Sequence, residues 1–167
     1  EELIPEGIGH VGAMTIADNV DAIVEYAYRV QKHHVENTEL GIPALIHCEA
    51  ISGGLFTGAT VFPSAIAQAS TWDPDVVMKM TNIIREQMYA VGFRHALSPV
   101  LDIARDPRWG RLTETYGEDP TLASAMGVAF VRGLQGEDLK RGIAATGKHF
   151  VAHGVTEGGL NMAQSIV

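Results

Sequence analysis

The chain has 167 residues, enough for one domain with a sizeable apolar core. Hydrophobic residues make up 46% and charged residues 19%, a folded-protein balance that argues against disorder. A net charge of −8 argues against nucleic acid or an anionic membrane surface as partner. Cys48 is the single cysteine, so no internal disulfide is possible. No apolar run approaches the roughly 18 residues of a membrane span, and EELIPEG carries no signal-peptide pattern. The compartment stays open, cytoplasmic or exported.

In chain order, the Gly-rich segment Ile8 to Met14 predicts a first strand, and Asp18 suits the cap of a first helix. Val20, Ile23, Val24, Ala27 and Val30 form its apolar face, with His33 and His34 expected in a solvated last turn. Ala44 to Cys48 reads as a buried strand running into Glu49 and a loop with three glycines, SGGLFTGAT. Pro63 to Ala69 predicts a short helix. Asp73-Pro74 opens a long one that ends at Gly92.

Arg94 to Ala104 predicts the third strand. It leads into RDPRWGRLTETYGEDP, where Arg105, Arg108 and Arg111 recur at three-residue steps around Trp109. Pro120 opens another helix, stopped near Gly136, and Ile143 to Phe150 predicts a fourth strand ending in Lys148-His149. Alternating strands and helices imply right-handed crossovers and a parallel sheet. A closed (β/α)8 barrel takes eight such units and about 250 residues. Four units in one block predict an α/β fold that is either the first half of such a barrel or a small open sheet.

In a parallel sheet all strand carboxyl ends lie on one side. Glu49, the Asp102–Arg111 segment and Lys148-His149 are therefore expected on one rim. Carboxylates, cations and an aromatic ring together suit a polyhydroxylated ligand, because each sugar hydroxyl both donates and accepts. Several of these charges also read as plain ion pairs holding the loop, and Trp109 as a plug beneath it. Cys48 reads as a buried strand residue, not a nucleophile. No metal is expected: His149 and His153 are four apart but straddle a strand end and a loop, without a third ligand at suitable spacing. The glycine loop lacks the Gly-Lys-Ser/Thr ending of a phosphate cradle.

The motifs IHCEAISG, FPSAIAQASTWD, SPVLDIARDPRWGRLTETYGEDP and GKHFVAHG closely resemble, in order, the N-terminal barrel domain of glycoside hydrolase family 3. The resemblance covers nearly everything from Gly41 onward. It implies an exo-acting retaining β-glycosidase whose Glu49, Arg111, Lys148 and His149 hold hydroxyls of the terminal sugar, without cofactor or metal. The substrate implied is an oligosaccharide or aryl β-glycoside. Many family members have Asp where Glu49 stands, which leaves glucose against xylose open. The β-N-acetylglucosaminidase branch carries an Asp-Ser-His motif after KHFPGHG; this chain has KHFVAHG followed by TEGGLN, which favours the glucosidase/xylosidase branch.

A retaining mechanism needs a carboxylate nucleophile and a second carboxyl about 5 Å away. The resemblance places the nucleophile after a later strand and the acid/base in a following domain. Asp102, Asp106, Glu114 and Glu118 are expected to hold the loop, so this segment should bind a sugar without attacking it. The alternative is a non-catalytic carbohydrate-binding or structural half-barrel, and open sheet edges then invite self-association.

Overall fold

A computed structural model describes residues 5–12 and 19–165. Four strands and four helices alternate: β1 (His10–Gly12), α1 (Val20–Asn37), β2 (Leu45–Cys48), α2 (Ala65–Ala69), α3 (Pro74–Ala90), β3 (His95–Ala96), α4 (Pro120–Gln135) and β4 (Ala144–Ala145). The strands form one parallel sheet in sequential order, β1-β2-β3-β4. Helices cross between strands, so the fold is the α/β class expected, a run of parallel βα units.

The caps explain where the helices start. Asp73 Oδ1 accepts from the backbone N–H groups of Asp75 and Val76, with Pro74 at the first helical position. Asp119 repeats the device on Thr121 and Leu122. At α1 the cap is Asn19, whose side chain accepts from Ala22 N–H, while Asp18 lies outside the described residues, as does Met14. Gly92 follows α3 with φ of 89°, a conformation that costs a side-chain-bearing residue and suits glycine.

Side-chain alternation sorts the sheet into two faces. Ile46, Cys48 and Ala96 are fully buried in the core against the helices, with Phe93, Ile84, Met88, Met126, Phe130 and Leu134. Helices α3 and α4 lie close because α4 presents Gly133 to Thr81: a Cβ there would meet Thr81 Oγ1 at 1.8 Å. The opposite face carries Leu45 and His47, then Glu49 beyond the strand end, and is the barrel-interior side.

Three expectations need correction. The third and fourth strands do not run over Arg94–Ala104 and Ile143–Phe150; regular pairing covers two residues in each. Pro99 has no N–H to give the ladder; Thr146 N–H still donates to Ser98 O, and bridge pairing resumes at Val100↔Lys148. The last turn of α1 is not solvated at His34, which is buried. Its Nδ1 pairs with Val30 O at 2.8 Å and its Nε2 accepts from Ile8 N–H at 3.0 Å, tying the first strand's approach to α1.

Candidate functional site

The motif after β3 is built as two short 3-10 turns, Pro107–Trp109 and Leu112–Glu114, joined at Gly110 with φ of 81°. Asp106 caps the first turn through Arg108 N–H. Trp109 is the plug: it is buried, and its indole Nε1–H donates to Asn161 Oδ1 at 3.1 Å. Gly159 fits against the same loop, since a Cβ there would meet Arg108 Cβ at 2.7 Å. The segment TEGGLN therefore backs RWGR.

Lys148, Arg111 and His149 on the rim each have a carboxylate partner. Lys148 Nζ donates to Glu49 Oε1 at 2.6 Å, joining the ends of β2 and β4. Arg111 forks onto Glu114 at 2.9 and 2.6 Å, and its Nη1 reaches His153 Nε2 at 3.2 Å. The buried carboxylate Asp102 accepts at Oδ2 from His149 twice, from Nδ1 at 2.8 Å and from the backbone N–H at 3.0 Å. The His149 ring then stands 4.6 Å from that of His153, which meets Trp109 edge-on. The backbone carries cis peptide bonds at Lys148-His149 and Phe150-Val151.

The four residues read as sugar contacts thus belong to one electrostatic neighbourhood. Arg111's proton affinity is raised first by the Glu114 hydrogen bond, against desolvation, with further contributions from Glu114, Glu49 and Asp102. Glu114 is held below the usual carboxylate range, first by that hydrogen bond; desolvation opposes, while the charges of Arg111, Lys148 and His149 assist. Burial lowers the His153 pKa, with His149 and Arg111 adding to the effect. Asp106, forked by Arg108, is pulled down to about 2. A general acid needs a raised pKa. Both rim carboxylates with a resolved shift move the other way, so they act as fixed acceptors.

One acceptor is left over. Glu49 Oε2 is buried and has no hydrogen-bond partner among the described residues. Beside the site, Leu101, Asp102, Gly147, His149, Phe150 and Val151 border a cleft of about 380 Å³. Phe150 is fully exposed there. Cys48 faces the core side, where burial pushes its thiol up to about 11.

Sequence reasoning treated Asp102 and Glu114 as loop-holding residues without identifying His149 and Arg111 as what they hold. It also did not connect His10, His47 and His95, which the strand register brings together on the interior face. The available signal was one histidine inside each of the first three predicted strands.

Comparison with known proteins identifies the architecture. The model of the glycosyl hydrolase family 3 N terminal domain matches residues 5–165. The chain belongs to this family. A β-xylosidase of Formosa agariphila is 42% identical over 135 residues, 75% of this chain and 19% of the relative. A probable β-glucosidase C of Aspergillus flavus is 32% identical over 159 residues, 90% of this chain and 25% of the relative. Among solved structures, a β-glucosidase of Erythrobacter marinus superposes with a TM-score of 0.93 at 34% identity, over 98% of this chain and 22% of that one. A mutant Listeria innocua β-glucosidase in complex with laminaribiose gives 0.79 at 33% identity, over 93% and 21%. The family 3 chain described here spans about a fifth to a quarter of the length of these relatives.

Proposed function

We propose that this segment is the sugar-holding part of an exo-acting retaining β-glycosidase, of β-glucosidase or β-xylosidase type, that hydrolyses terminal non-reducing β-linked sugars. Glu49, Arg111, Lys148 and His149 bind the hydroxyls of that sugar. The observation that carries the reading is the arrangement of cation–carboxylate pairs at the strand ends, with Glu49 Oε2 buried and unused. A buried lone acceptor is costly unless a ligand hydroxyl donates to it. Arg111 and Lys148, held by Glu114 and Glu49, supply the matching donors.

Asp102 and Glu114 are positioning residues that fix His149 and Arg111, so a sugar meets a preorganised set. Support from relatives lies in their names, β-xylosidases and β-glucosidases, the Listeria innocua β-glucosidase having been solved both with laminaribiose, as a mutant, and with glucose. The nucleophile and acid/base come from elsewhere in the polypeptide, where two carboxyls meet the spacing of a retaining enzyme.

The test is hydrolysis of chromogenic β-glucosides and β-xylosides by the intact protein. Turnover should fall by about a hundredfold or more in kcat/KM on Arg111→Ala. Unchanged constants would remove Arg111 from the site. A second reading, a carbohydrate-binding half-barrel without catalysis, draws on the engagement of Asp106 and Glu114 by arginines. It predicts that the intact protein binds β-glucosides without cleaving them.

A further inference from the structure

We propose that His10, His47 and His95 form a binding site for one divalent transition-metal ion of the zinc class, inside the barrel and one layer below Glu49. The proposal does not rest on the sugar-binding reading. Three adjacent strands each contribute one imidazole. Gly12 pairs with His47 and His47 with His95 across the parallel ladder, and the ring centroids stand 5.4 to 5.8 Å apart. One nitrogen from each ring lies within 4.8 Å of the other two. Nitrogens at about 2.0–2.1 Å from a tetrahedral zinc lie roughly 3.4 Å from one another, so closure asks for about 1.4 Å of side-chain movement at most.

The protonation pattern suits a ligand set. His95 Nε2 is hydrogen-bonded to Thr146 Oγ1 on the neighbouring chain segment. When Nε2–H donates to that hydroxyl, Nδ1 carries the free lone pair, and an oriented outer partner is the usual companion of a metal-binding histidine. The Nδ1 atoms of both His95 and His47 are buried without a hydrogen-bond partner among the described residues. Buried polar nitrogens normally find a partner, and two unused ones within a three-imidazole cluster invite a ligand. A cation is the ligand that several neutral imidazole lone pairs can bind at once, whereas an anion would need donors that these lone pairs lack. Imidazole suits zinc, copper and nickel, while magnesium and calcium prefer oxygen ligands.

The position gives the ion a task. Glu49 follows His47 by two residues just past β2, and Lys148 follows Thr146 by two beyond β4; Thr146 Oγ1 meets His95 and Lys148 Nζ meets Glu49, so the two levels are adjacent. An ion clipping β1, β2 and β3 together fixes the floor on which the Glu49–Lys148 pair stands. Three ligands leave a fourth position for water or for a group from another part of the polypeptide.

The experiment uses the intact protein, stripped with a chelator and titrated with zinc(II) and with cobalt(II). Expected are one tightly held ion per chain, a visible absorption band of tetrahedral cobalt, and a higher melting midpoint with zinc. His10→Gln, checked for a cooperative melt first, should weaken this ion's binding at least tenfold and abolish the band. His95→Asn is the second variant, checked for a cooperative melt before titration. His33→Gln, on α1, should bind as the parent does. Parent protein that holds no ion, or equal binding in His10→Gln, His95→Asn and the parent, overturns the proposal.

Discussion

Arg108 and Arg111 stand three residues apart in one motif, and each forks onto a carboxylate close by in sequence. Their settings differ. The Arg108 side chain is 70% exposed and, among the described residues, pairs with Asp106, whereas Arg111 is 24% exposed, braced also by His153, and feels the charges of Glu49 and Asp102. An exposed pair is screened by water and contributes little, while a half-desolvated guanidinium keeps its field and its geometry. Local sequence grammar makes the pair; the wall behind it decides whether the pair serves the loop or a ligand.

The sharpest way to break this contrast is to truncate both. Arg111→Ala should cost about 3 kcal/mol or more in transition-state binding by the intact enzyme, read from kcat/KM on an aryl β-glycoside. Arg111→Lys should recover only part of it, because an ammonium cannot span both Glu114 oxygens. Glu114→Gln comes next, at about 1–2 kcal/mol, since it keeps the shape and removes the charge that holds the fork. Asp102→Asn should act similarly through His149, and appear mainly in KM if His149 binds ground state and transition state alike.

The pH response is smaller. His153 has its pKa below the ordinary 6.5, chiefly through burial. Above pH 6.5 it is neutral both folded and unfolded. As pH falls below 6.5 the unfolded chain takes the proton first, so stability declines until the lowered folded pKa has been passed. The same proton removes the acceptor that Arg111 uses, so sugar affinity should drop over that acid range and His153→Gln should flatten the profile. Binding isotherms between pH 5 and 7 are the measurement.

Smallest is Arg108→Ala, for which unchanged kcat and KM are expected. The Asp106 contribution is fully present above its ordinary value of 3.8 and is lost as pH falls toward about 2, so acid melts are where Arg108→Ala should differ from the parent. A large kinetic defect in Arg108→Ala would erase the distinction between the two arginines.

Much of this was legible in the residues. Asp73-Pro74 and Asp119-Pro120 announced their helices because a cap is a local device, settled by two or three neighbours. The alternation of apolar runs with helical faces carried the order of strands, and the residues just past each run the gathering of polar groups. The short ladders of β3 and β4 were harder to see, since apolar extended chain looks alike whether or not it pairs. His34 misled because a histidine near a helix end resembles a solvated cation; only the placement of Ile8 reveals it as buried. His10, His47 and His95 are invisible as a group in a linear reading, because their meeting depends on register across three strands.

The Glu49–Lys148 pair joins residues 99 apart in the chain. At a synthesis rate of about 5–20 residues per second, Lys148 leaves the ribosome on the order of 5–20 s after Glu49. Helices α3 and α4 belong to the interval between them. Through that interval β2 has a carboxylate at its end and no cation to meet it, so the core forms on a strand whose final charge partner has yet to be made. The contact between the ends of this rim is consequently a late one in the segment, and a pause in translation between β3 and β4 would lengthen its exposure without touching a single contact of the finished fold.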